Sequence, residues 1–137
     1  MNQKKAGVKF QKYIITPEQE FVEAHSFLAI VENKDIPSLK SLKVSEESYI
    51  LGLLDCIGEL KRFVLDNIRN DQLKKAEMIF NVMENLYQAL YPFAMYDKIV
   101  KETRRKLDVN RILVEETRAV ITEEIRRNHF VKALTKK

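Results

Sequence analysis

Chain breakers are scarce in this sequence, and that scarcity constrains the fold more than any other feature: three glycines and three prolines are spread over 137 residues. Between them lie long runs of Leu, Ile, Lys, Glu and Arg with apolar positions recurring every three or four residues, the period of a helix with one buried face. The expected fold class is therefore all-α, a helical bundle subunit with four main helices near residues 17 to 32, 46 to 69, 72 to 90 and 95 to 129. Thr16-Pro17-Glu18-Gln19 reads as a start, with Thr as N-cap, Pro at the first helical position and Gln closing a capping box. The apolar face expected to follow is Phe21, Ala24, Phe27, Leu28 and Val31. Ser45-Glu46-Glu47-Ser48 opens the second helix, whose apolar residues cover more than half its circumference, as in a central helix with several neighbours. Asn70-Asp71 is expected to break the chain and cap the third helix, and Tyr91-Pro92 to end it. The last helix has small or apolar residues at 99, 103, 107, 110, 114, 117 and 121, with Asn110 and two threonines diluting the seam. At roughly 45 to 50 Å it is too long for so small a domain to cover, so part of it is expected to pack on another subunit.

A chain of this length forms one domain without covalent staples. Cys56 is the single cysteine, which excludes an intramolecular disulfide, and no signal peptide or long apolar span is legible, so a reduced, cytoplasmic setting and no membrane partner are expected. Charge is uneven. Residues 1 to 15 carry four lysines and residues 125 to 137 five basic residues, neither with an acid, so that the net +4 leaves −5 for the middle. The expected layout is a basic arm (1–15), a helical domain (16–131) and a basic tail (132–137). Basic ends on an acidic body suit a polyanion, and equally suit solubility.

Two acid pairs interrupt otherwise apolar helical stretches: Glu20 with Glu23 at i,i+3, and Asp55 with Glu59 at i,i+4. Paired acids in a chain that is 32% charged are ordinarily a solvated face. If the two helices pack side by side, however, the four carboxylates converge and need shared protons or a cation. An all-carboxylate set suits Mg²⁺, with Mn²⁺ as a substitute, and not zinc, and such an ion can activate a water against a phosphodiester. His25 faces away from Glu23, His129 lies in the basic tail, and Cys56 has no histidine partner. No phosphate-binding glycine loop, His-Glu-x-x-His or Cys-x-x-Cys occurs. Gly58, between Asp55 and Glu59, is expected to let a backbone or ligand come close. Candidate RNA contacts are Lys9 and Lys12 in the arm, Lys61, Arg62, and the Arg104-Arg105-Lys106 run, with Arg62 equally placed for a salt bridge to Glu59 or Asp66. Phe10, Tyr13 and Tyr49 could stack on bases or simply pack.

The segments Ile15-Thr16-Pro17-Glu18-Gln19-Glu20-Phe21-Val22-Glu23-Ala24 and Tyr49-Ile50-Leu51-Gly52-Leu53-Leu54-Asp55-Cys56-Ile57-Gly58-Glu59-Leu60 resemble the translin and Trax family, and specifically its Trax-like, archaeal-type branch. The resemblance implies a subunit of a closed hollow homo-oligomer, an octamer, with Mg²⁺-dependent endoribonuclease sites on its inner wall that act on single-stranded RNA. The Trax acids correspond to Glu20, Glu23, Asp55 and Glu59, with Glu23 and Glu59 as direct metal ligands and Glu20 and Asp55 as orienting or proton-accepting groups. The translin branch lacks the first pair and binds RNA or single-stranded DNA without cutting. Members of the family carry two further helices ahead of the acidic helix, where this sequence has a fifteen-residue basic arm.

Overall fold

A computed structural model describes the backbone of residues 2–96, 100 and 102–136, with side chains from residue 17 onward within that range. The order is α1 (Asn2–Val31), a single turn α2 (Leu39–Leu42), α3 (Glu46–Arg69), α4 (Leu73–Leu90), a 3₁₀ segment (Tyr91–Tyr96) and α5 (Thr103–Thr135), with no strand among the described residues. Four long helices match the expected all-α bundle, and α3 is its centre, packed against α1, α4 and α5. Leu54, Cys56, Ile57, Leu60 and Val64 of α3 are almost wholly shielded from solvent, which fits the breadth of apolar surface in its sequence.

The start of α3 is fixed by side chains. The Ser45 hydroxyl accepts from the Ser48 amide at 3.1 Å, and the Glu18 carboxylate of α1 accepts from the Ser45 amide at 3.2 Å and the Ser45 hydroxyl at 3.1 Å. Hydrogen bonds from Ser48 first, and from Ser45, hold the Glu18 carboxyl below its ordinary value of 4.5. Its stabilising effect is thus present above pH 4.5 and is lost as pH falls through the lowered pKa. Ser45→Ala, which removes the cap hydroxyl and its bond to Glu18 while leaving the backbone amide bond to Glu18 in place, is expected to destabilise the fold by about 1 kcal/mol at pH 7, and by less at pH 3, in urea unfolding.

Several expectations need correction. The backbone is already helical from Asn2, with Pro17 inside α1, so the four lysines of the expected arm ride on a helix. A proline at that point removes one hydrogen-bond donor but leaves the rest of the ladder intact. The buried face of α1 is Val22, Ser26, Ala29 and Ile30, about one residue round from the one expected; Phe21 and Leu28 are 43% and 52% exposed. Close packing explains the rotation. A Cβ on Gly52 would lie 2.6 Å from Val22 Cβ and 2.7 Å from the Gln19 carbonyl oxygen, so the missing side chain at Gly52 lets the α1 backbone come close to α3. Gly58 makes no such contact; a Cβ there would meet only Leu113 Cδ1, at 3.9 Å.

A further correction concerns α5. It begins at Thr103 and not near Met95, because Glu102 takes a left-handed backbone (φ 71°) just before it. Similarly, Asp71 (φ 59°) makes the turn before α4, and no side chain caps that helix. The polar residues of the α5 seam are buried and satisfied: Asn110 Nδ2 donates to the Leu54 carbonyl at 2.9 Å, and the Thr117 hydroxyl to the Leu113 carbonyl at 2.6 Å. Thr103, Leu107, Val114 and Ile121 complete the seam, while position 99 lies outside the described residues. Beyond Ile121 the helix projects, leaving Phe130, Val131 and Leu134 at least half exposed.

Candidate acid site between α1, α3 and α5

The contact at Gly52 sets the site. With Gln19 and Val22 pressed on Gly52, one further turn of each helix places Glu23 beside Asp55 and Glu59. The Glu23 carboxyl is raised above its ordinary value, by burial first and then by the charges of Asp55, Glu59 and Glu20, with Lys106 acting in the opposite direction. Cys56 lies fully buried behind them; burial and the charges of Glu23, Glu59 and Asp55 push its thiol up to about 12, so it is an inert core residue. The four acids therefore share one electrostatic field.

Their exposures differ. Glu20 is exposed at the edge, Glu23, Asp55 and Glu59 are half-buried. Asp55 has both oxygens engaged: Gln19 Nε2 donates to Oδ2, and the Lys106 ammonium of α5 donates to Oδ1. Glu59 has a looser partner in Arg62, at 3.9 Å with 76% of the arginine side chain exposed, which is the salt bridge weighed from the sequence. Among the described residues no three His, Cys, Asp or Glu side chains are gathered at metal-holding distance. The donor chemistry nevertheless fits a hard divalent ion: all oxygen, anionic, and incompletely neutralised at Glu23. Beside the acids, a cleft of about 260 Å³ between α3 and α5 is lined by Leu54, Asp55, Gly58, Arg105, Lys106, Val109, Asn110 and Leu113.

The basic candidates divide. Lys61 pairs with Glu116 of α5, a link between helices that leaves its ammonium committed. Arg105 lies 3.3 Å from Glu102 and also borders the cleft. Arg104 is exposed, and Lys9, Lys12, Phe10 and Tyr13 have side chains outside those described. Tyr49 is a packing residue, its hydroxyl donating to the Pro37 carbonyl at 2.8 Å. His25 is exposed and contacts Phe21 with ring centroids 4.2 Å apart and the planes tilted by 54°. Sequence reasoning missed Gln19 as a partner of Asp55, Lys106 as its counter-ion and Gly52 as the contact that aligns the acids. The only available signal was that Gln19 precedes Glu23 by one helical turn and that Gly52 precedes Asp55 by three residues, on the same faces.

Residues 2–121 match the family model described as "Translin family". The chain is 47% identical over 110 residues to an uncharacterized protein of Methanocaldococcus jannaschii, a match covering 80% of this chain and 49% of that one. It is similar to the solved structure of AfC3PO in complex with duplex RNA (TM-score 0.72, 30% identity, 80% of this chain and 58% of that one). The crystal structure of AfC3PO gives a TM-score of 0.72 and 32% identity over 78% of this chain and 56% of that one. The chain thus spans about half the length of the curated relative it matches. No helix among the described residues is long and apolar enough to cross a membrane.

Proposed function

The chain belongs to the Translin family, and from that membership and the acid seam between α1 and α3 we propose that it is a Mg²⁺-dependent endoribonuclease of the Trax-like, archaeal-type branch. The observation that carries this reading is the contact of α1 with α3 at Gly52, which brings Glu23 of one helix to Asp55 and Glu59 of the other; burial first, and then those charges, raise the Glu23 carboxyl. Glu23 and Glu59 would hold the ion, while Glu20 and Asp55 would orient water or accept its proton. Bound there, Mg²⁺ (or Mn²⁺) would lower the pKa of a water and orient the scissile phosphate for in-line attack, leaving a 5′-phosphate and a 3′-hydroxyl. Arg62, 3.9 Å from Glu59, and Arg105, which lines the cleft with Asp55, are the proposed phosphate contacts, with Lys9, Lys12 and Arg104 as further ones. Lys61 is withdrawn from that role by its pairing with Glu116. A cytoplasmic homo-oligomer, an octamer, is proposed with it; the projecting end of α5 and the exposed Phe21 and Leu28 supply apolar surface for subunit contacts.

Single-stranded RNA is the proposed substrate, and because the AfC3PO neighbour was solved with a duplex, both forms belong in the test. Purified protein with labelled single-stranded and duplex RNA should cut the single strand in Mg²⁺ and not in EDTA, and its binding should weaken steeply with salt. Cleavage undiminished by EDTA would sink the metal role. Binding without cleavage would establish the second reading, a noncatalytic RNA- or single-stranded-DNA-binding protein, which the engagement of both Asp55 oxygens favours.

A further inference from the structure

We propose that Lys106 is the resident counter-ion of the acid seam: its ammonium occupies the Asp55 carboxylate, which must give it up before Asp55 can orient or deprotonate a water of a divalent ion held at Glu23 and Glu59, and the released ammonium then faces the α3–α5 cleft. The inference rests on the metal-dependent reading above. Lys106 reaches across from α5, and it and Asp55 keep only 19% and 30% of their side chains exposed, so water and salt screen the pair less than a surface bridge. The same ammonium acts on Glu23, which makes it a cation shared by both acid pairs. Without it, four carboxylates on two closely packed helices would repel one another.

Displacement is sterically open. Lysine is a single compact charge on a four-carbon stem, able to swing without moving the helix that carries it. Lys106 already lines the cleft with Asp55, Gly58 and Arg105, and the missing side chain at Gly58 leaves space next to Asp55, the nearest atom to a Cβ there being Leu113 Cδ1 at 3.9 Å. Gln19 meanwhile keeps the other Asp55 oxygen fixed from α1, so the carboxylate stays oriented as its partner is exchanged. Lys106 is thus a positioning residue: it preserves the spacing of the acids until an ion takes over their charge.

The test uses the full chain, Mn²⁺ alone as probe, and the variants Lys106→Met and Lys106→Gln, each titrated by calorimetry and melted in EDTA. Both variants are expected to bind Mn²⁺ about tenfold more tightly than the unmodified protein, the scale of one charge-assisted contact no longer competing, and to melt at lower temperature without metal. Lys106→Gln, which keeps a donor for Asp55, guards against a variant that fails to fold. Mn²⁺ affinity equal to or weaker than that of the unmodified protein overturns the inference while leaving the metal site standing. Absence of Mn²⁺ binding by all three proteins overturns the metal-dependent reading, and this inference with it.

Discussion

Glu23→Gln is expected to lower Mg²⁺-dependent RNA cleavage at least about a hundredfold while leaving RNA affinity within about twofold and the melting temperature in EDTA equal to or above that of the unmodified protein. The combination follows from the position of Glu23. Burial, and then Asp55, Glu59 and Glu20, raise its folded-state pKa, so its ionised form opposes folding at neutral pH. That penalty falls as pH drops through the raised pKa and vanishes below the unfolded value, so the melting temperatures of the two proteins should converge on acidification. Asp55→Asn should lose cleavage as well but melt lower in EDTA, because it strands the Lys106 ammonium. Cleavage retained by Glu23→Gln would remove Glu23 from the site. A loss of folding instead would make it structural.

Gly52→Ala is expected to be the most damaging single-methyl change in the bundle. The added carbon would sit 2.6 Å from Val22 Cβ and 2.7 Å from a backbone oxygen, Gln19 O, and a backbone oxygen cannot turn aside as a flexible side chain can. Overpacking of this kind costs about 1–3 kcal/mol, against which the better helix propensity of alanine returns about 1 kcal/mol, so a net loss of up to about 2 kcal/mol is expected in urea unfolding. The helices must also separate, which parts Glu23 from Asp55 and lowers cleavage further than stability alone explains. Gly58→Ala is the control: with 3.9 Å of room it should be neutral or up to about 1 kcal/mol stabilising. Equal losses from the two substitutions would mean that the α1–α3 contact does not depend on Gly52.

What the sequence made legible was whatever is written locally. α3 begins and ends at Glu46 and Arg69 as read, because Ser45 caps it and Asn70-Asp71 stops it within a few residues. The α5 seam was legible for the same reason, its period carrying through Asn110 and Thr117 even though both are polar. Facing was harder. α1 has two apolar strips, one with Phe21 and Leu28 and one with Val22 and Ile30, and hydrophobicity does not say which is turned inward when the deciding contact is a glycine on another helix. The start of α5 was lost because nothing in a stretch free of Gly and Pro announces a left-handed Glu102. At the site, two acid pairs on adjoining helices were visible from their spacing alone, whereas their partners Gln19 and Lys106 lie 36 and 51 residues from Asp55 and carry no local mark. The pairing of Lys61 with Glu116, 55 residues on, was hidden in the same way.

Those separations also set an order in time. Asp55 leaves the ribosome after Gln19 but before Lys106, and at synthesis rates of roughly 5–20 residues per second the intervening 51 residues take roughly 3 to 10 seconds. Any pairing of α1 with α3 before Lys106 arrives brings the four carboxylates together without that ammonium, and their mutual repulsion then works against the close contact at Gly52. Docking of α5 supplies the missing charge together with the Asn110 amide, so the acid seam is complete only once the last helix is in place.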